Sequence, residues 1–149
     1  MADLIPVLVG TAGLVSGECF LLSREVDLTI GRSRACEVSL RRLAAYLAIP
    51  PGERDNDHDF NTVSRRHLRV KVTGNEAVIQ DLSTNGSFCN GEQVRDAKHI
   101  DLNQGGCTLR LGTRESFQMV LLPQDDPRVK DLPAITAGSG LKANGGAAD

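Results

Sequence analysis

Two short polar clusters hold most of the side chains in this chain that could do chemistry. Ser64-Arg65-Arg66-His67 and Ser83-Thr84-Asn85-Gly86 supply hydroxyls, guanidinium groups, an imidazole and an amide. A smaller cluster, Ile30-Gly31-Arg32-Ser33, precedes them. Arginines beside hydroxyls suit a phosphate: a guanidinium presents forked donors matched to its oxygens, and hydroxyl and backbone donors fix the others. The same residues also spell a rival chemistry. Ser64, His67 and an acid such as Asp81 are the residue types of a hydrolase triad. Ser64 lacks the Gly-x-Ser-x-Gly elbow and no oxyanion loop accompanies it, so no catalytic residue is assigned.

The elements that must position these clusters read as strands. Leu68, Val70 and Val72 alternate with Arg69 and Lys71, the period of a strand with one buried face. Thr73-Gly74-Asn75-Glu76 supplies turn chemistry, and Ala77-Val78-Ile79 begins a second apolar run. In such a hairpin the segment before the first strand and the segment after the second lie at the same end. The two clusters therefore meet in space. Val26 to Ile30 alternates as well and delivers Gly31-Arg32 at its end. Asn90-Gly91, after Ser87-Phe88-Cys89, favours a tight hairpin turn because both residues tolerate positive φ.

Taken in order, Ile30-Gly31-Arg32-Ser33, Ser64-Arg65-Arg66-His67 and Ser83 through Gly91 resemble the forkhead-associated (FHA) domain, over about Leu4 to Leu122. The resemblance implies an all-β fold of the FHA/SMAD-like kind, a two-sheet β-sandwich of about eleven short strands. It also implies binding of phosphothreonine peptides through loops at one end. By resemblance Arg32 is the main phosphate ligand and Ser64 the hydroxyl donor; Arg65 adds charge or a backbone donor, and Thr84 helps hold the phosphate. Asn85 matches the residue that bonds the peptide main chain, while Arg66 equally suits solvent. His67 matches a histidine that braces the loops without touching phosphate, and Gly31, Gly86, Asn90 and Gly91 are architectural. Each position has a plainer alternative: a solvated loop arginine, a turn-capping serine, or an asparagine chosen for its turn geometry.

The implied partner is a phosphothreonine-containing protein produced by a Ser/Thr kinase, and the implied role is a phosphorylation-dependent adaptor in signalling. An FHA-like assembly subunit that binds partners without reading phosphate is the rival reading. Self-association, with a threonine such as Thr136 bound by a second copy, stays open.

Composition narrows the field. A chain of 149 residues accommodates one domain with a tail. A net charge of −2 argues against a nucleic-acid or membrane-surface binder, and 3% aromatics without Trp argues against base stacking. Cys19, Cys36, Cys89 and Cys107 form no Cys-x-x-Cys pair, so neither a metal nor another cofactor is expected. They read as reduced thiols of a cytosolic protein. The apolar start, Leu4 to Val9 and then Ala12 to Val15, has no basic residue before Arg24 and is interrupted by Gly10 and Gly13. It reads as a first strand, and the protein as cytoplasmic, or nuclear if eukaryotic.

The FHA domain is expected to span 1–122, with an insertion at 41–61 before the Ser64 motif. Arg41 to Ile49 has good helix formers and stops at Pro50-Pro51, with Leu43, Tyr46 and Leu47 on one face. Gly52 to Asp59 reads as a polar loop. Residues 123–149, rich in Pro, Gly, Ala and Asp, are expected to be a disordered tail.

Overall fold

A computed structural model describes residues 4–135. The described residues form eleven strands: β1 (Leu4–Ala12), β2 (Cys19–Leu21), β3 (Glu25–Gly31), β4 (Val38–Ser39), β5 (Leu68–Thr73), β6 (Glu76–Asp81), β7 (Ser87–Cys89), β8 (Glu92–Gln93), β9 (Ala97–Asp101), β10 (Cys107–Leu111) and β11 (Glu115–Pro123), with burial alternating most cleanly in β5 and β10. They form the expected two-sheet sandwich. One sheet runs β2-β1-β11-β10-β7-β8 and the other β4-β3-β5-β6-β9. Along β5, Leu68, Val70 and Val72 are buried and Arg69 and Lys71 face out. Val26, Leu28 and Ile30 of β3 join the same core, facing Leu8, Leu109, Phe117 and Met119 from the other sheet. Full burial of each such side chain contributes about 1.5–3 kcal/mol.

Register decides where the motifs emerge. Ile30 pairs with Leu68, and Leu68 with Asp81. The segments after β3, before β5 and after β6 therefore leave the sheet at one end. Between β7 and β8, Asn90 (φ 52°) and Gly91 (φ 86°) form a two-residue turn whose twist matches the strands it joins.

The insertion carries the expected short helix within Arg41 to Ile49 and departs from expectation in its second half. It contains two single-turn helices, α1 (Ala44–Leu47) and α2 (His58–Asn61), with 3-10 turns at Leu40–Arg42 and Arg54–Asn56. The expected polar loop, Gly52 to Asp59, thus runs into α2, which begins where the Asp57 carboxylate accepts from the Phe60 amide at 3.2 Å. The expected helical face is also broken. Leu43 and Tyr46 are 5% exposed, but Leu47 is 55% exposed. Leu43 is extended (φ −71°, ψ 142°) and only caps α1, so the i, i+4 spacing never becomes one face. Phe60 and Val63 are buried and belong to the sandwich core. Tethers to the β10–β11 turn hold this segment, among them Arg114 to Asp57 at 3.0 Å, Thr113 Oγ1 to Asp59 Oδ1 at 2.7 Å, and Thr113 N to Thr62 Oγ1 at 3.1 Å.

Ordered contacts continue past the boundary drawn at 122. Val129 is buried, and Ile135 pairs in parallel with Leu22, its amide donating to the Leu21 carbonyl at 2.8 Å. Isolated apolar residues have no period to reveal them in sequence. The remainder of the expected tail, residues 136–149 with Thr136, lies outside the described residues. The four cysteines are free thiols, three of them buried. Among the described residues no helix is long and apolar enough to cross a membrane.

Candidate functional site

Three loops are joined at the end of the five-stranded sheet. The first follows Gly31, where a Cβ would lie 2.1 Å from the Arg65 carbonyl oxygen, a close approach that needs glycine. That approach is zipped by hydrogen bonds from Arg32 N to Ser64 O (3.1 Å) and from Ser33 N to Arg65 O (3.0 Å). The half-buried Arg32 side chain donates through Nε to the Val63 carbonyl. Its guanidinium carbon sits 5.7 Å from the centroid of the Phe60 ring, a cation–π distance. Phe60 in turn stacks on Tyr46, with centroids 4.9 Å apart and planes at 26°. The insertion therefore supplies the platform on which Arg32 rests.

His67 joins the second loop to the third. It is fully buried; Ser64 N donates to its Nδ1 at 2.9 Å, and its Nε2 lies 2.8 Å from the Gly86 carbonyl oxygen. An accepting Nδ1 leaves the proton on Nε2, which donates to Gly86. Burial pushes the His67 pKa below its ordinary value and so favours this neutral ring. A second bridge runs from Thr84 N to Ser64 Oγ at 3.0 Å. Asp81 shapes the third loop: its Oδ1 accepts from Ser83 Oγ (2.6 Å), Ser83 N (3.1 Å) and Ser87 Oγ (2.8 Å). Gly86, at φ 100°, donates its amide to Ser83 Oγ at 2.8 Å. The triad geometry does not form. His67 takes the Ser64 amide on Nδ1 and bonds Gly86 through Nε2, while Asp81 serves serines 83 and 87.

The structure thus brings Arg32, Ser64, Thr84 and Asn85 to linked loops. Asn85 Nδ2 donates to the Thr62 carbonyl at 3.0 Å, tying the third loop to the insertion. An asparagine amide has a second N–H and a carbonyl oxygen beyond that bond. The side chains of Arg65, Arg66 and Thr84 are exposed. Arg65 also works through its backbone, since its carbonyl accepts from Ser33 N and from Cys36 Sγ at 3.3 Å. Asn90 and Gly91 lie beyond β7 from Gly86, where Asn90 Oδ1 accepts from Thr108 N at 2.9 Å. Phe60 was missed in sequence. Its signal was position: one of only four phenylalanines, standing shortly before the Ser64 motif.

Comparison with known proteins agrees with this fold. A family profile for the FHA domain matches residues 28–112, more than half of the chain and all three motif loops, and the chain belongs to that family. FHA domains are binding modules. Among solved structures, the FHA domain of CT664 from Chlamydia trachomatis is 22% identical, with a TM-score of 0.57 over 78% of this chain and 96% of that one. An FHA domain studied for phosphothreonine-dependent interactions is 28% identical, with a TM-score of 0.57 over 80% and 98%. The FhaA FHA domain, complexed with the intracellular domain of Rv3910, is 27% identical, with a TM-score of 0.52 over 78% and 99%. No curated protein sequence matches the chain.

Proposed function

We propose that this chain is a phosphothreonine-reading adaptor that binds a kinase-modified partner protein at the three linked loops. The observation that carries the proposal is Arg32, seated on Phe60, beside a Ser64 hydroxyl that already accepts from Thr84 N. Because the Ser64 oxygen is engaged as an acceptor, its own proton is available to a ligand oxygen. A phosphothreonine brings about −1.5 to −2 charge and three acceptor oxygens. Arg32 supplies the charge-assisted pair, Ser64 a hydroxyl donor, and Arg65 and Thr84 further contacts at the rim. The Asn85 amide takes the peptide main chain. Gly31, His67 and Gly86 hold the loops at the spacing a phosphate needs. No metal or other cofactor enters. The relative studied for phosphothreonine-dependent interactions and the FhaA complex with a protein domain both support this reading. An assembly subunit whose groove the insertion covers is less favoured, since Arg65, Thr84 and Asn85 stay exposed.

Calorimetric titration with phosphothreonine peptides and their unphosphorylated twins tests the proposal. Arg32→Ala is expected to remove on the order of 2–4 kcal/mol, or about 30- to 1000-fold in affinity. Ser64→Ala is expected to cost about 1–2 kcal/mol. A folded Arg32→Ala protein with unchanged affinity refutes the assignment, and equal binding of both twins refutes the phosphate reading.

A further inference from the structure

We infer that Arg41 is a second anion contact, through which the site reads another negatively charged group on the same peptide. The inference rests on the phosphothreonine reading above and adds to it the chemistry of the flanking sequence. Its basis is the Phe60 ring, which gathers two arginines. The guanidinium carbon of Arg41 lies 5.9 Å from the ring centroid and that of Arg32 5.7 Å, while Tyr46 stacks against the same ring.

The other arginines of the insertion have structural work. Arg42 donates to the carbonyls of Arg34, Cys36 and Glu37, at 2.5, 2.6 and 2.8 Å. Arg54 donates to the carbonyls of Ile49 and Leu47, both at 2.9 Å, and lies over the Tyr46 ring at 5.0 Å. Arg41 is different. The residue is half-buried; its guanidinium makes no hydrogen bond or ion pair with any described residue, and its Nε is buried without a partner. Its backbone is nonetheless fixed, with the amide donating to Ser39 Oγ at 3.2 Å in the turn Leu40–Arg42. A charged group held in place with its donors unused is organised for a ligand and not for the fold.

Reach defines that ligand. Both guanidinium carbons lie within 6 Å of one centroid, so they are at most ~12 Å apart, and an extended peptide rises about 3.3 Å per residue. The second group therefore belongs to a residue within about four positions of the phosphothreonine. Its chemistry is an anionic oxygen, from the carboxylate of Asp or Glu or from a second phosphate.

The test uses the full chain and four kinds of peptide. These carry phosphothreonine with neutral flanks, phosphothreonine with Glu stepped through each of the four flanking positions on either side, phosphothreonine with phosphoserine stepped likewise, and no phosphate. At least one anionic position is expected to bind about three- to tenfold tighter than the neutral-flank peptide, with the gain shrinking as salt rises. A gain with Glu identifies a carboxylate ligand, and a gain with phosphoserine alone identifies a second phosphate. Arg41→Gln is expected to abolish the gain while keeping the affinity for the neutral-flank phosphopeptide, and Arg41→Lys to restore part of it. Equal affinity of the wild-type protein for neutral and anionic flanks overturns the inference, whatever the variants do. So does an Arg41→Gln protein that keeps the wild-type preference. Failure of the underlying reading looks different, since no peptide would then distinguish phosphothreonine from threonine.

Discussion

Replacing His67 with phenylalanine keeps a ring of similar size in the core and removes both of its hydrogen bonds. The two partners are not affected equally. The Gly86 carbonyl still accepts from Gly112 N at 3.1 Å, so it retains one bond. Ser64 N loses the imidazole acceptor that held it at 2.9 Å beside a fully buried ring. An amide left without a partner costs about 1–3 kcal/mol, and the weakened carbonyl adds less than ~1 kcal/mol. The expected loss is thus about 1–4 kcal/mol of a total stability on the order of 5–15 kcal/mol. For a domain of this size that corresponds to roughly 3–15 °C in Tm. Ser64 would then be held to the third loop by the Thr84 bridge alone, so phosphopeptide affinity is expected to fall about tenfold even though His67 touches no ligand. Thermal unfolding followed by circular dichroism, with calorimetric titration beside it, reads both effects.

His67 also predicts a pH signature. Burial lowers its pKa in the folded state, so between that value and the unfolded value of about 6.5 the unfolded chain binds more protons. Stability from this residue is therefore complete above pH 6.5 and is lost as pH falls through the lowered folded value. His67→Phe should flatten that slope. A variant that melts with the wild type, binds with the same affinity and keeps the acid slope refutes the bracing argument.

Phe60→Ala removes a fully buried aromatic stacked on Tyr46 and is expected to cost about 3–5 kcal/mol. Phe60→Leu should keep more of that stability yet still weaken phosphopeptide binding through Arg32; unchanged affinity in the folded Leu variant refutes the platform. Deleting residues 41–61 and restoring a short turn should lower Tm and phosphopeptide affinity together, whereas a deletion that alters neither marks the insertion as a passive loop. Exchanging phosphothreonine for phosphoserine should weaken binding by at least ~0.8 kcal/mol for the lost methyl contact, and equal affinities measured side by side count against an FHA-type pocket. Affinity should also fall as pH drops below about 6, where the phosphate takes its second proton; a flat titration from pH 7 to 5 argues against a dianionic ligand.

Much of the molecule is decided by local rules that a single chain displays. Alternation in Leu68-Arg69-Val70-Lys71-Val72 sets which face is buried, and a one-residue slip would turn every one of those apolar side chains to solvent. The register from Ile30 to Leu68 to Asp81 follows from that constraint, and with it the meeting of the loops carrying Arg32, Ser64 and Thr84. Turn chemistry at Asn90-Gly91 is equally local. The insertion was not legible in this way. Four-residue helices cannot sustain themselves, because nucleation is unfavourable and their stability comes from what they pack against. Nothing in the order of residues 41–63 says that Phe60 enters the core while Leu47 faces water. Nor does sequence reveal that Phe60 seats Arg32, that His67 gives its two nitrogens to Ser64 and Gly86, or that Val129 and Ile135 extend the packed chain. Periodic burial is written along the chain, one residue at a time. The partners of lone side chains are chosen across it, by whichever surface the closed sandwich leaves within reach.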